Sequence, residues 1–127
     1  MKAKKLKIAI TKDQFGVPHP DAVAVIQSAN IGSDPSGLAF NESDKTQTYN
    51  APTFYLSYRV ISYHNEACFN DLNVSYQEVQ DNTKASYFRV PITVAEVAEL
   101  NTAKKLEDKA LAHFKDKILP GIGSLVS

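Results

Sequence analysis

Apolar and polar residues alternate along much of the chain, which is the pattern of half-buried β-strands. The strongest stretch is residues 53–63, where aromatic and β-branched residues dominate, as they do on pleated surfaces. Residues 31–37 hold a cluster of Gly, Ser, Asp and Pro that predicts a turn. Further strands are predicted at residues 5–11, 22–29, 38–40, 46–49, 72–79 and 85–92, and we expect 85–92 to pair with 72–79.

The apolar period becomes helical in the last third of the chain. Thr93 and Glu96 have the spacing of a capping box. Two apolar stripes follow, and they lie about half a turn out of phase, which predicts a break near Asn101-Thr102. We therefore expect a short helix at 94–100 and a longer one at 103–118. Strands followed by helices indicate an α+β fold: an antiparallel β-sheet or small β-sandwich, with a C-terminal helical segment covering one sheet face.

Composition is that of a globular chain. Its 127 residues are 43% hydrophobic and 22% charged, and we expect one β-rich domain spanning 1–127. Lys plus Arg and Asp plus Glu both number 14, so the basic excess of a nucleic-acid binder is missing. The N-terminal lysines alternate with apolar residues and are interpreted as a solvated strand face. The sequence shows neither a signal peptide nor a membrane span, so we expect no membrane partner. Because the basic excess is missing, we also expect no nucleic-acid partner.

No arrangement typical of a catalytic or metal site is visible. His19, His64 and His113 lie in three separate regions, without the paired spacing of zinc ligands. Cys68 is the single cysteine, and its apolar neighbours indicate a buried small hydrophobe rather than a nucleophile. The Gly32–Gly37 segment lacks the motifs of a phosphate or calcium loop. We predict no catalytic residue, no cofactor and no metal.

Tyrosines on the predicted strands provide the best candidate for a contact surface. Tyr is enriched at interfaces because its ring is apolar and its hydroxyl is polar. The residues that we expect to form a possible interaction surface are Tyr55, Arg59, Tyr63, Tyr87 and Arg89.

Three segments resemble a group of small tailed-phage virion proteins encoded among tail or baseplate genes. They are the strand Ala22-Val23-Ala24-Val25-Ile26, the strand and turn from Tyr58 to Ala67, and the closing helix Ala110–Lys115 followed by Leu119-Pro120. The resemblance covers about half of the chain, and residues 31–50 are additional to the usual pattern. It implies a virion building block in a symmetric assembly and carries over no catalytic residue.

Three hypotheses about function follow. The first is a non-enzymatic structural subunit of a phage-like virion or similar assembly, made in the host cytoplasm, with other virion proteins and further copies of itself as partners. The second is a small ligand- or carbohydrate-binding β-module. The third is a small enzyme with a pocket beneath the helix that uses His64 or His113 with a carboxylate.

Overall fold

The computed structural model describes residues 2–126 and has the predicted α+β architecture, with antiparallel sheets and a C-terminal helical segment. The strands are β1 (Leu6–Ile10), β2 (His19–Asp34), β3 (Gly37–Asn41), β4 (Thr46–Asn50), β5 (Thr53–Tyr63), β6 (Gln77–Glu78), β7 (Phe88–Ile92) and β8 (Gly123–Leu125). The α-helices are α1 (Glu66–Asn70), α2 (Val94–Glu99) and α3 (Ala103–His113). A π-helical turn (Phe114–Ile118) and a 3-10 turn (Leu119–Gly121) lead from α3 to β8.

Six strands form the main sheet in the order β6-β5-β2-β1-β8, and β7 pairs with the same edge of β5 as β6. All of these pairings are antiparallel. The two long strands β2 and β5 pair from Val23–Tyr63 to Asp34–Thr53, with one irregularity between Ile26 and Ser28. We call this pair of strands the β2–β5 ribbon, and it forms the centre of the main sheet. Strands β3 and β4 form a separate two-stranded sheet beyond its end.

The main core lies between one sheet face and the C-terminal helical segment. Leu56, Tyr58 and Val60 of β5 are fully buried there, because alternate residues of a strand point to the same face. Ala110 and Phe114 of the helical segment are fully buried against them. The helical segment thus covers one sheet face, as the alternating pattern predicts.

The opposite sheet face is partly covered by the segment that follows β5. Val23 and Ile61 are buried there, and α1 packs against β2 and β5. The Tyr63 ring meets the rings of Phe69 and Tyr76 at centroid distances of 5.3 and 6.0 Å. This smaller apolar layer gives the sheet cover on two sides near the start of β2.

The helix boundaries follow their predicted caps. Thr93 accepts a hydrogen bond from the Glu96 backbone N–H, and the Glu96 side chain accepts one from Thr93, so the capping box is present. Thr102 caps α3, and the break lies where the two stripes change phase. The longer helix is α-helical only to His113, and the predicted continuation to 118 is a π-helical turn.

Several strand predictions were wrong. Of residues 72–79 only Gln77–Glu78 is strand, and Leu72 is 99% exposed. Strand β7 pairs with β5 rather than with 72–79, and it lies at the sheet edge, where Pro91 is tolerated. Strand β2 runs through most of the predicted 31–37 turn and ends at Asp34. The short helix α1 and strand β8 were not predicted.

Among residues 2–126, no helix is long and apolar enough to cross a membrane.

Candidate interaction surface

A hairpin made of β3 and β4 projects beyond the end of the β2–β5 ribbon. We call residues 35–52 the arm. No residue of β3 or β4 is buried or half-buried, and the exposed stretch runs from residue 33 to residue 53. The arm therefore contributes nothing to the core, although it is a regular hairpin with five paired positions from Gly37–Asn50 to Asn41–Thr46.

One face of the arm carries large apolar side chains. Leu38 and Phe40 are two residues apart on β3 and share a face, and Tyr49 stands directly opposite Leu38 on β4. Their exposed fractions are 65%, 56% and 66%. Such a cluster differs from scattered exposed apolar residues, because contiguous exposed patches mark contact sites.

Particular residues define both ends of the arm. At its base, Pro35 and Pro52 interrupt the two strands at the same level, because proline has no N–H for the ladder. At its tip, the Asp44 carboxylate accepts hydrogen bonds from the hydroxyl and backbone N–H of Thr46. The Thr46 hydroxyl is the main reason that the pKa of Asp44 is lowered. The tip therefore keeps a negative charge.

The predicted contact residues fall into two groups. Tyr55 and Arg59 of β5 lie on the sheet face opposite Leu56 and Tyr58, and the β7 pairing brings Tyr87 and Arg89 beside them. The Arg89 guanidinium lies 4.2 Å from the Tyr55 ring centroid, and that of Arg59 lies 5.0 Å from the Tyr87 ring centroid. Tyr63 is separate, since its ring packs with Phe69 and Tyr76. We call Tyr55, Arg59, Tyr87 and Arg89 the tyrosine–arginine patch.

A glycine positions the Tyr55 ring. Gly32 is the direct partner of Tyr55 on β2, and a Cβ atom at position 32 would lie 2.6 Å from the Tyr55 ring. A side chain there would displace the ring, so the close approach requires glycine. The patch is thus built on β5 and its paired neighbour β7, and paired strands are a rigid support for a contact surface.

Two histidines that are distant in sequence meet at the other end of the ribbon. His19 Nε2 is 2.8 Å from the Asp13 carboxylate, and His19 Nδ1 is 2.9 Å from His64 Nδ1. The carboxylate must accept, so His19 Nε2 carries a proton, and a single proton between the two Nδ1 atoms joins the rings. The hydrogen bond from His19 is the main reason that the pKa of Asp13 is lowered to about 2.

The Asp13–His19–His64 cluster has an evident structural role. Asp13 also accepts backbone hydrogen bonds from Phe15 and Val17 at 2.8 and 3.0 Å, which shapes the turn that contains Gly16 at φ 80°. The cluster therefore fastens the β1–β2 turn to the end of β5. Within residues 2–126, the hydrogen bonds of the two rings join them to each other and to Asp13.

The third histidine is joined to the core. The Tyr58 hydroxyl lies 2.6 Å from His113 Nδ1. Burial raises the pKa of Tyr58, so its hydroxyl stays protonated and donates. Burial, and then Lys117, lower the pKa of His113, so its neutral ring accepts.

A cleft of about 510 Å³ lies between the β1–β2 turn and residues 77–84. Its lining includes Asp13, Gln77, Asp81 and Lys84 above an apolar floor with Val79, and neither His64 nor His113 belongs to it. Cys68 is half-buried in α1 and free. No cluster of side chains suited to holding a metal ion occurs within residues 2–126.

Comparisons with protein-family models, with curated proteins and with solved structures find no match to this chain.

Four of the five predicted contact residues, all except Tyr63, lie together in the tyrosine–arginine patch, whereas the arm was not predicted as a feature. The residues themselves are visible in the sequence: Leu38 and Phe40 alternate on one short strand, Tyr49 lies on another, and a polar turn separates the two strands. Their exposure was not predictable, because an alternating strand normally implies a covering layer, and only the structure shows that nothing within residues 2–126 covers this hairpin. Nothing in the spacing of His19 and His64 signals their contact.

Proposed function

We propose that this protein is a structural subunit of a larger assembly, such as a phage-like virion, and acts through contacts between proteins rather than through chemistry. The observation that carries the proposal is the arm, an ordered hairpin with an apolar face that the rest of the chain leaves exposed. The resemblance of three segments to tailed-phage virion proteins suggests the kind of assembly. Further copies and other virion proteins would be the partners, and the virion would be the site of action.

The exposed apolar area of the arm is large enough to contribute to association. Phe and Tyr bury about 150–250 Å² each, so Leu38, Phe40 and Tyr49 together expose roughly 350–400 Å². At about 25 cal/mol per Å² this corresponds to about 9 kcal/mol of gross transfer free energy. Association itself costs about 4–15 kcal/mol. The free energy gained from one arm contact is therefore close to the free-energy cost of association. Such a weak contact suits a subunit held by many repeated contacts.

The unpaired strand edges of the arm add a second means of contact. The outer edges of β3 and β4 have no strand partner within residues 2–126, and free edges can pair with another chain. Zero formal net charge opposes close approach of copies only weakly. Both features favour association.

The test is the oligomeric state of the purified protein. Light scattering and sedimentation velocity over about 5–500 µM should show concentration-dependent association, since each contact is weak. A triple variant with Leu38→Ser, Phe40→Ser and Tyr49→Ser should stay monomeric with an unchanged melting temperature.

The matched control replaces three exposed apolar residues elsewhere, namely Phe15, Leu72 and Val94, which are 75%, 99% and 69% exposed. These changes should leave association intact. A wild-type protein that is monomeric throughout, and that cross-links to no neighbour in virions as judged by mass spectrometry, would refute the proposal.

A second candidate is a small-ligand-binding module, and the cleft favours it. Its volume of about 510 Å³ lies in the range of ligand sites. A thermal-shift screen of saccharides and metabolites tests this function. A hit whose stabilisation is lost on Gln77→Ala but kept on Leu38→Ser would support it.

A further inference from the structure

Charge is unevenly distributed between the arm and the patch. The chain contains two arginines, Arg59 and Arg89, and both belong to the tyrosine–arginine patch. The arm and its base carry three carboxylates, on Asp34, Glu42 and Asp44, against one cation, Lys45. The molecule thus presents a cationic aromatic surface on β5 and β7 and an acidic apolar surface on the arm.

The arginines of the patch are available to a partner. The side chain of Arg59 is 44% exposed, and Tyr87 is 41% exposed. Arg59 forms one ion pair, with Glu78 at 3.4 Å, which leaves most of its five N–H donors free. Stacking on tyrosine rings orients a guanidinium and leaves its edge open to carboxylates.

The arm of a molecule does not reach its own patch. The patch lies on β5 and at β7, the arm continues β2 and β5, and the last β2–β5 pair of the main sheet, Asp34–Thr53, separates the two surfaces. The arm continues outward from this pair and is exposed along its whole length. Only a second molecule can bring these two surfaces together.

We propose that the arm of one copy docks on the tyrosine–arginine patch of a second copy. Leu38, Phe40 and Tyr49 would cover the tyrosine rings, and the tip carboxylates of Glu42 and Asp44 would meet the arginines. The dimensions agree: the five rows of β3–β4 from Gly37 to Asn41 span about 13 Å, and the patch from Tyr55 to Arg59 along β5 also spans about 13 Å. This inference rests on the proposed function and names its partner and both contact surfaces.

The experiment uses two charge reversals in the full-length protein. The patch variant combines Arg59→Glu with Arg89→Glu, and the arm variant combines Glu42→Lys with Asp44→Lys. In each variant alone, arm and patch have the same sign of charge, so self-association should fall at least about tenfold. In an equimolar mixture, each variant's arm is again opposite in charge to the other's patch, and association should recover.

Sedimentation velocity of the separate and mixed variants gives the result. The recovered species should contain both variants in equal amounts, as mass spectrometry after cross-linking can show. A control with Lys104→Glu and Lys117→Glu changes charge equally on the helical segment and should associate like wild type. The arm variant changes only exposed residues, so it tests the contact even if the patch variant fails to fold.

The possible failures are distinguishable. Association of the wild type that neither reversal weakens, or a mixture that stays dissociated, would overturn the arm–patch contact and leave the proposed function intact. A wild type that does not associate with itself or with virion proteins would overturn both.

Discussion

Excising the arm tests whether it is independent of the folded body. Asp34 and Thr53 are direct partners at the end of the main sheet, so residues 35–52 can be replaced by Asn-Gly. This two-residue loop forms a type I′ turn that suits the twist of a hairpin. The excised variant would keep every buried residue of the core.

The expected effect on stability is small and of known sign. Shortening a loop from 18 residues to 2 lowers the free-energy cost of loop closure by (3/2)RT ln 9, about 2 kcal/mol. This is an upper limit, because the arm is already ordered, and an isolated two-stranded hairpin is itself only marginally stable. The variant should therefore be more stable than wild type by between zero and about 2 kcal/mol.

Urea unfolding followed by circular dichroism measures this change. As a control for the method, Leu56→Ala in the same ribbon should cost about 2–5 kcal/mol, because Leu56 is fully buried. A loss of more than about 1 kcal/mol on excision, beyond the usual scatter of surface changes, would refute the reasoning, since it would show that the arm stabilises the body. Association should be abolished in the same variant.

Three further predictions concern the folded body. Tyr58→Phe removes the hydrogen bond to His113 and should cost about 1 kcal/mol in urea unfolding; an unchanged midpoint would contradict this bond. Gly123→Ala should be destabilising by about 1–3 kcal/mol, because its Cβ would overlap the β1 backbone, whereas Gly37→Ala, with open space around it, should have no such effect. The pKa of Asp13 is lowered to about 2, so its contribution is present above the unfolded value near 3.8 and is lost as pH falls from about 4 to 2. The wild type should therefore lose more stability over this interval than Asp13→Asn does, and parallel pH profiles would disprove the assignment.

The parts of the fold that depend on local interactions were predictable from sequence. Strand β5 begins and ends at the predicted residues 53 and 63, because its period of two and its aromatic content are properties of the segment itself. The helix starts at Val94 and Ala103 follow from the capping side chains of Thr93 and Thr102, which act within one turn.

Strand pairing could not be predicted from local patterns. Leu72, Val74 and Tyr76 alternate like a strand but none of them lies in one, because an alternating pattern describes a surface and does not supply a neighbouring strand. Strand β7 pairs with β5, which is distant in sequence, rather than with residues 72–79. The free energy of such pairings comes from contacts across the whole sheet.

For the candidate site, the sequence by itself determined which side chains were suited to contact: strand tyrosines, two arginines, and the apolar residues Leu38, Phe40 and Tyr49 of two short predicted strands. Only the tertiary structure decided which of them act together. The β5–β7 pairing stacks Arg59 and Arg89 on tyrosine rings, while Tyr63 joins a different layer. The structure also decided that no part of residues 2–126 covers the arm, since exposure depends on where the other segments pack and not on the pattern of the exposed segment.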